Sequence, residues 1–208
     1  RSVTLTGTGT TTGFNGTETS VGVFQNITDL IGASAGGNTL TGLNATAAWN
    51  INGTNSGTYT STNALNFTDF QNLTGGTGAD TFTISGGSIS GTIAGGTGTD
   101  ALVSGSGTNS WNVNGTNAGT LNDGGVTTTF TGIENLTGGT GNDTFTMAGG
   151  SVGGTIDGGS GGGTDALVAG NTTNTWTINA TNAGTMNDGT VTTTFTNIEN
   201  LTGGTGND

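Results

Sequence analysis

The chain has 208 residues with 45 Gly, no Pro, Cys or His, and 13 acids against a single basic side chain, for a formal net charge of −12. A single Arg cannot neutralise a row of phosphates or anionic headgroups, which argues against nucleic acid and excludes polybasic membrane attachment. No run of about 18 apolar residues exists to cross a membrane as a helix, and the lack of Cys excludes a disulfide scaffold.

Only 28% of residues are hydrophobic, a level that by itself suggests disorder. Repetition overrides that suggestion. NLTGGTG recurs at Asn72–Gly78, Asn135–Gly141 and Asn200–Gly206. Trp49, Trp111 and Trp176 each open the pattern W-x-[IV]-N-[GA] and keep the same long beat. Self-similarity at a long, nearly fixed period marks a stacked architecture in which each unit buries its apolar face against the next.

In chain order, VTLTG at Val3–Gly7 fits the slot later filled by WNVNG, so the chain opens inside a repeat. It also stops inside one, at Gly203–Asp208, as expected of a segment of a much longer protein. Leu40, Leu102 and Leu167 each stand the same distance ahead of their Trp, so those segments align without gaps. Upstream, the step from Leu30 to Leu40 is far shorter than the matching step from Leu73 to Leu102. The first copy has therefore lost a stretch close to one coil, a deletion that a solenoid tolerates and a closed globular core does not. Glycine-led corners at Gly75, Gly95, Gly115, Gly138, Gly158 and Gly203, with Ala180 in the same series, follow one another at nearly even spacing.

Between corners the pattern alternates with period 2, as in TFTIS (Thr81–Ser85), ALVSG (Ala101–Gly105), WNVNG (Trp111–Gly115) and VTTTFT (Val126–Thr131). Short Thr-, Val-, Ile- and Phe-rich runs bounded by Gly, Asn and Asp read as strands and turns. The expected fold is all-β: a right-handed parallel β-helix, or β-solenoid. About ten coils of about 20–23 residues are expected, three per long repeat. Residues 1–208 are expected to form one continuous segment, with repeats at about 1–48, 49–110, 111–175 and a partial 176–208.

GGTGADTFT (Gly75–Thr83), GGTGTDALV (Gly95–Val103) and GGTGNDTFT (Gly138–Thr146) each fit GGxGxDxUx without a mismatch. On these motifs the chain resembles the RTX-like, hemagglutinin-like repeat regions of large bacterial surface adhesins. The resemblance implies Ca²⁺ held between stacked turns by Asp carboxylates and backbone carbonyls. Carried onto this sequence, the ligands are Asp80, Asp100 and Asp143 with the carbonyls of Gly76, Gly78, Gly96, Gly98, Gly139 and Gly141. Asp165 belongs to a looser version, GGSGGGTDALV, with two extra residues. Asn38 stands where Asp100 and Asp165 lie, and the corner at Gly115 has no Asp. Physics agrees with a hard cation: glycines permit tight corners that expose carbonyls, and Ca²⁺ takes six to eight oxygens. The competing account is plain turn chemistry, with Asp capping backbone N–H groups.

The Trp series is expected in the core, since Trp111 and Val113 alternate as inward residues do, although an exposed aromatic row could stack sugars. GTGNDTFTMAGGSVGGTID resembles the ice-binding segment of certain RTX adhesins. The N-x-[ST] sequons at Asn15, Asn52, Asn72, Asn114, Asn135 and Asn200 are expected to arise by chance in an Asn- and Thr-rich chain. No His, Cys or Lys is available for catalysis, and the acids recur with the repeat, so no enzyme is expected. The leading expectation is a stiff, Ca²⁺-stabilised structural segment of an extracellular adhesin or surface fibre. Its partners would be flanking repeats, neighbouring copies or a host-surface ligand, without membrane insertion. The alternative is a subunit of a self-assembling filament or surface layer, and an ice- or carbohydrate-binding surface ranks below both.

Overall fold

The computed structural model describes residues 1–208 and contains strands and turns but no helix. The residues fall into two compact units, Arg1–Asp100 and Ala101–Asp208.

The first unit holds β1 (Ser2–Thr8), β2 (Phe14–Glu18), β3 (Gly22–Ile27), β4 (Asp29–Ile31), β5 (Thr39–Thr41), β6 (Ala47–Gly53), β7 (Ser56–Thr60), β8 (Ala64–Thr68), β9 (Asn72–Gly76), β10 (Asp80–Ile84) and β11 (Thr92–Gly96). One sheet runs β11-β9-β5-β1-β2-β3 and the other β10-β6-β7-β8-β4. Parallel pairing places Val3, Leu40, Leu73 and Ile93 in one inward row. None of the four is more than 4% exposed. The facing sheet contributes the row Phe82, Trp49, Tyr59 and Leu65. Phe14 of one sheet meets Tyr59 of the other edge-on at 5.3 Å, so the core lies between the sheets.

The second unit holds β12 (Ala101–Val103), β13 (Ser110–Gly115), β14 (Ala118–Asn122), β15 (Thr127–Thr131), β16 (Asn135–Thr137), β17 (Thr144–Met147), β18 (Thr155–Asp157), β19 (Ala166–Val168), β20 (Thr175–Ala180), β21 (Ala183–Asn187), β22 (Thr192–Thr196) and β23 (Asn200–Thr202). Its sheets run β23-β19-β17-β13-β14-β15 and β20-β21-β22-β18-β16-β12. Within each unit single strands and antiparallel three-stranded groups alternate between the two sheets, with parallel pairing between stacked layers. In the first unit two strands, β4 and β5, separate the antiparallel groups β1–β3 and β6–β8. In the second, four strands, β16–β19, separate β13–β15 from β20–β22. The stretch missing from the first copy therefore corresponds to one strand from each sheet.

The corner expected at Gly115 is different from the others. It is a β-hairpin: β13 pairs antiparallel with β14, and β14 with β15. The same meander recurs in β6–β8 and β20–β22. The turn is set by Asn55, Asn117 and Asn182, all left-handed with φ of 53°, 54° and 55°. Asn enters that conformation more readily than other residues with a side chain. The tips at Asn55 and Asn117 are then locked into a neighbouring corner. Asn117 N–H donates to Ser151 O, its carbonyl accepts from Ile133 N–H, and its side-chain oxygen accepts from Gly153 N–H. The three-equivalent-coil division of each repeat therefore gives way to single strands plus one three-stranded meander.

Each meander carries a glycine in its middle strand opposite a Phe in its third: Gly57 and Phe67, Gly119 and Phe130, Gly184 and Phe195. A Cβ on Gly119 would lie 2.2 Å from Asn112 O and 2.9 Å from Phe130 Cζ, so the ring rests on bare backbone. Gly119→Ala is therefore expected to cost about 1–3 kcal/mol in urea unfolding. Gly125→Ala, whose Cβ meets nothing within 4 Å, should be neutral. Equal midpoints for the two variants would refute this account of the meander.

Candidate cation site at the stacked corners

Within each unit the Gly-rich corners stack directly on one another. A Cβ on Gly96 would sit 2.1 Å from Gly76 O, and one on Gly98 2.3 Å from Gly78 O. In the second unit Gly139 faces Gly105 O at 2.3 Å and Gly159 faces Gly139 O at 2.0 Å. Glycine is required here because backbone carbonyls of one layer press on the α-carbons of the next. Gly76, Gly96, Gly98 and Gly139 also adopt positive φ, from 104° to 139°. The two extra residues of the looser motif are absorbed locally, with Gly161 and Gly162 at positive φ and Gly163 still stacked on Gly141 O.

The carboxylates form a ladder along these corners. Asp80 N–H donates to Asp100 Oδ1 at 2.7 Å, and Asp143 N–H donates to Asp165 Oδ1 at 2.7 Å. Asp165 N–H continues to Glu199 Oε2 at 2.8 Å. Asp143 Oδ1 accepts from Asn109 N–H at 2.8 Å. Capping of backbone N–H groups, one of the two accounts open from sequence, thus takes one oxygen of Asp100, Asp143 and Asp165.

Other oxygens are left over. Asp80 is 1% exposed, and neither of its carboxylate oxygens makes a hydrogen bond. Asp143 is fully buried, and its Oδ2 has no partner. Burial, reinforced by the Asp100 charge, pushes the Asp80 carboxyl up to about 7; the Ala47 amide tempers the rise from outside hydrogen-bonding geometry. Burial pushes Asp143 to about 6 against the opposing Asn109 donors, with a further contribution from the Asp165 charge. Burial also raises Asp165.

These oxygens lie beside carbonyls. Asp80 Oδ2 and Gly95 O are 2.4 and 2.3 Å from the point a Gly75 Cβ would occupy. Asp143 Oδ2 and Gly158 O stand in the same relation to Gly138, at 2.4 and 2.5 Å. Hard oxygen donors and buried, orphaned carboxylate oxygens fit a hard cation. No three acidic side chains are grouped so as to hold a metal ion, so such a site draws on backbone oxygens. The residues that would hold it are Asp80 and Asp100 with the carbonyls of Gly76, Gly78 and Gly95, and Asp143 and Asp165 with those of Gly139, Gly141 and Gly158. Gly76 O also accepts Thr97 N–H at 3.0 Å. Gly96 and Gly98 belong to the Asp100 corner.

Gly95, Gly158 and Glu199 were not legible as site residues, because only stacking brings them to these aspartates. The Trp series lies where its alternation indicates. Trp49 and Trp111 are 1% exposed, stacked on Phe82 and Phe145 at 5.3 and 5.4 Å, while Trp176 on β20 is half-buried. No protein-family model, curated protein or solved structure matches this chain.

Proposed function

We propose that this chain is a structural segment of an extracellular repeat fibre, a β-solenoid whose stacked Gly-Asp corners are closed by Ca²⁺. The observation that carries the reading is the pair of corners where buried, unpartnered carboxylate oxygens of Asp80 and Asp143 lie beside glycine carbonyls of the adjoining layer. When bound there, Ca²⁺ would neutralise the paired charges and join successive layers through shared oxygens. The chain's own residues do the rest: parallel ladders, carboxylate-to-amide caps and locked hairpin tips tie each layer to the next. Charge supports the same partner, since −12 without a basic run favours cations over any polyanion. The acids serve the corners and recur with the repeat, so the role is mechanical support without catalysis. Handedness is expected to be right, by the usual crossover preference.

Thermal unfolding with Ca²⁺ and with chelator tests this. Saturation at about 100-fold over Kd is expected to add about 2.7 kcal/mol per site, several degrees in Tm. An unchanged Tm would sink the calcium reading.

A second reading, an ordered-water or ice-binding face, is favoured by one observation. Outward residues Thr74, Thr41, Thr4 and Thr17 form an uninterrupted row across four paired strands. Inhibition of ice recrystallisation by the chain, abolished in Thr41→Tyr, would support it, and no inhibition would reject it.

A further inference from the structure

The corner position occupied by Asp80 and Asp143 is filled by Asn109 and Asn174 in other layers, and there the structure shows what the surrounding oxygens select. Asn109 is 2% exposed. Its amide nitrogen donates to Gly105 O at 3.4 Å, Gly107 O at 3.0 Å, Gly138 O at 2.9 Å and Asp143 Oδ1 at 2.7 Å. Three carbonyls from two stacked corners and one carboxylate thus converge on a single nitrogen. Asn174 repeats the arrangement, donating to Gly170 O, Thr172 O and Asp208 Oδ1 at 3.0, 2.8 and 2.7 Å.

The corners around Asn109 and around Asp143 share one stacking register. Asn109 N–H reaches Asp143 Oδ1 at 2.8 Å as Asp143 N–H reaches Asp165 Oδ1 at 2.7 Å. Gly139 stacks on Gly105 O as Gly159 stacks on Gly139 O, and Gly141 on Gly107 O as Gly163 on Gly141 O. By that register the carbonyls of Gly139, Gly141 and Gly158 and the Asp165 carboxylate hold, around Asp143, the places that Gly105, Gly107, Gly138 and Asp143 hold around Asn109. The difference is one atom. Asn brings an N–H₂ with two donors; Asp brings a second acceptor to a set already made of acceptors. That is why Asp143 Oδ2 has no partner. In the first unit Asp80 stands in the same relation to Asp100 and has no partner on either oxygen.

We infer that this one position decides how each corner is closed: Asn109 and Asn174 close theirs with their own amide, whereas Asp80 and Asp143 recruit a divalent cation. The inference rests on the calcium reading above and adds to it the residue that sets the number of ions. Two ions per chain follow, one at Asp80 with Asp100 and one at Asp143 with Asp165.

Two reciprocal variants of the full chain test it, with Ca²⁺ itself as the probe, by equilibrium dialysis and by Tm in Ca²⁺ and in chelator. Asp143→Asn is expected to lower the bound Ca²⁺ by one per chain. It should also raise the Tm in chelator by about 3 °C or more, because the new amide meets oxygens already in place. Asn109→Asp is expected to raise the stoichiometry by one and to lower the Tm in chelator, with recovery in Ca²⁺. A wild-type chain that takes up no Ca²⁺ overturns the calcium reading. Wild-type uptake with stoichiometry unchanged in both variants overturns the amide assignment alone. A fall in Tm of Asp143→Asn in chelator also overturns it, whatever the wild type binds.

Discussion

Trp111→Ala is expected to lower the unfolding free energy of the chain by about 3–5 kcal/mol, the range for truncating a large buried aromatic. Trp111 is 1% exposed, lies nearly parallel to Phe145 at 5.4 Å and meets Phe130 edge-on at 6.0 Å. Few core side chains of this size are present, so the loss cannot be made good by neighbours relaxing into the space. Trp111→Phe should cost much less. The phenyl ring keeps the stacking partner, and the substitution removes an indole N–H that is buried without an acceptor. Trp176→Ala, in the half-buried copy on β20, should fall well below Trp111→Ala. Urea unfolding followed by circular dichroism ranks the three. Equal losses at Trp111 and Trp176 would mean that the Trp-to-Phe stack is not a principal source of stability.

In chelator, the protein is expected to become less stable as pH rises from about 4 to about 7. The sign follows from proton linkage. The folded Asp80 carboxyl holds its proton up to about 7, whereas in the unfolded chain it titrates near 3.8. Across that window the folded state binds more protons, so raising the pH favours unfolding. The shift sets an upper limit of about 4 kcal/mol for this group. Asp143, raised to about 6 by burial, adds to the same slope over a narrower range. Asp29 acts oppositely and elsewhere: the Asn66 amide, then the Thr28 hydroxyl, hold it below the ordinary carboxylate value, so its contribution is lost only in stronger acid. Tm measured at pH 4.5 and pH 8 in chelator should therefore fall, and Asp80→Asn should flatten the profile. A Tm that rises across this range would contradict the burial assigned to these two carboxyls.

The hairpins show where a sequence pattern runs out. WNVNG and VTTTFT alternate with period 2, and that alternation is the same for parallel and antiparallel neighbours. A signal for the antiparallel choice was present in the turns. Asn122-Asp123-Gly124 and Asn187-Asp188-Gly189 contain the Asp-Gly pair that most often closes a hairpin. Gly124 and Gly189 are indeed at positive φ. The even spacing of the corners masked it, because a meander and a strand pair consume similar lengths of chain.

The sequence by itself determined which side chains face inward and where the chain bends. Leu40, Leu73, Leu102, Leu136 and Leu167 are all fully buried, and the glycines of the three intact motifs all lie at stacked corners. Period-2 alternation and the glycine requirement of a tight corner are local properties, written residue by residue. Only the tertiary structure decided what each corner aspartate meets. Asn109 and Asp143 are 34 positions apart and touch because layers stack in register, so the oxygen set that tells Asn from Asp is complete only when a second layer adds its carbonyl and carboxylate to those of the residue's own corner.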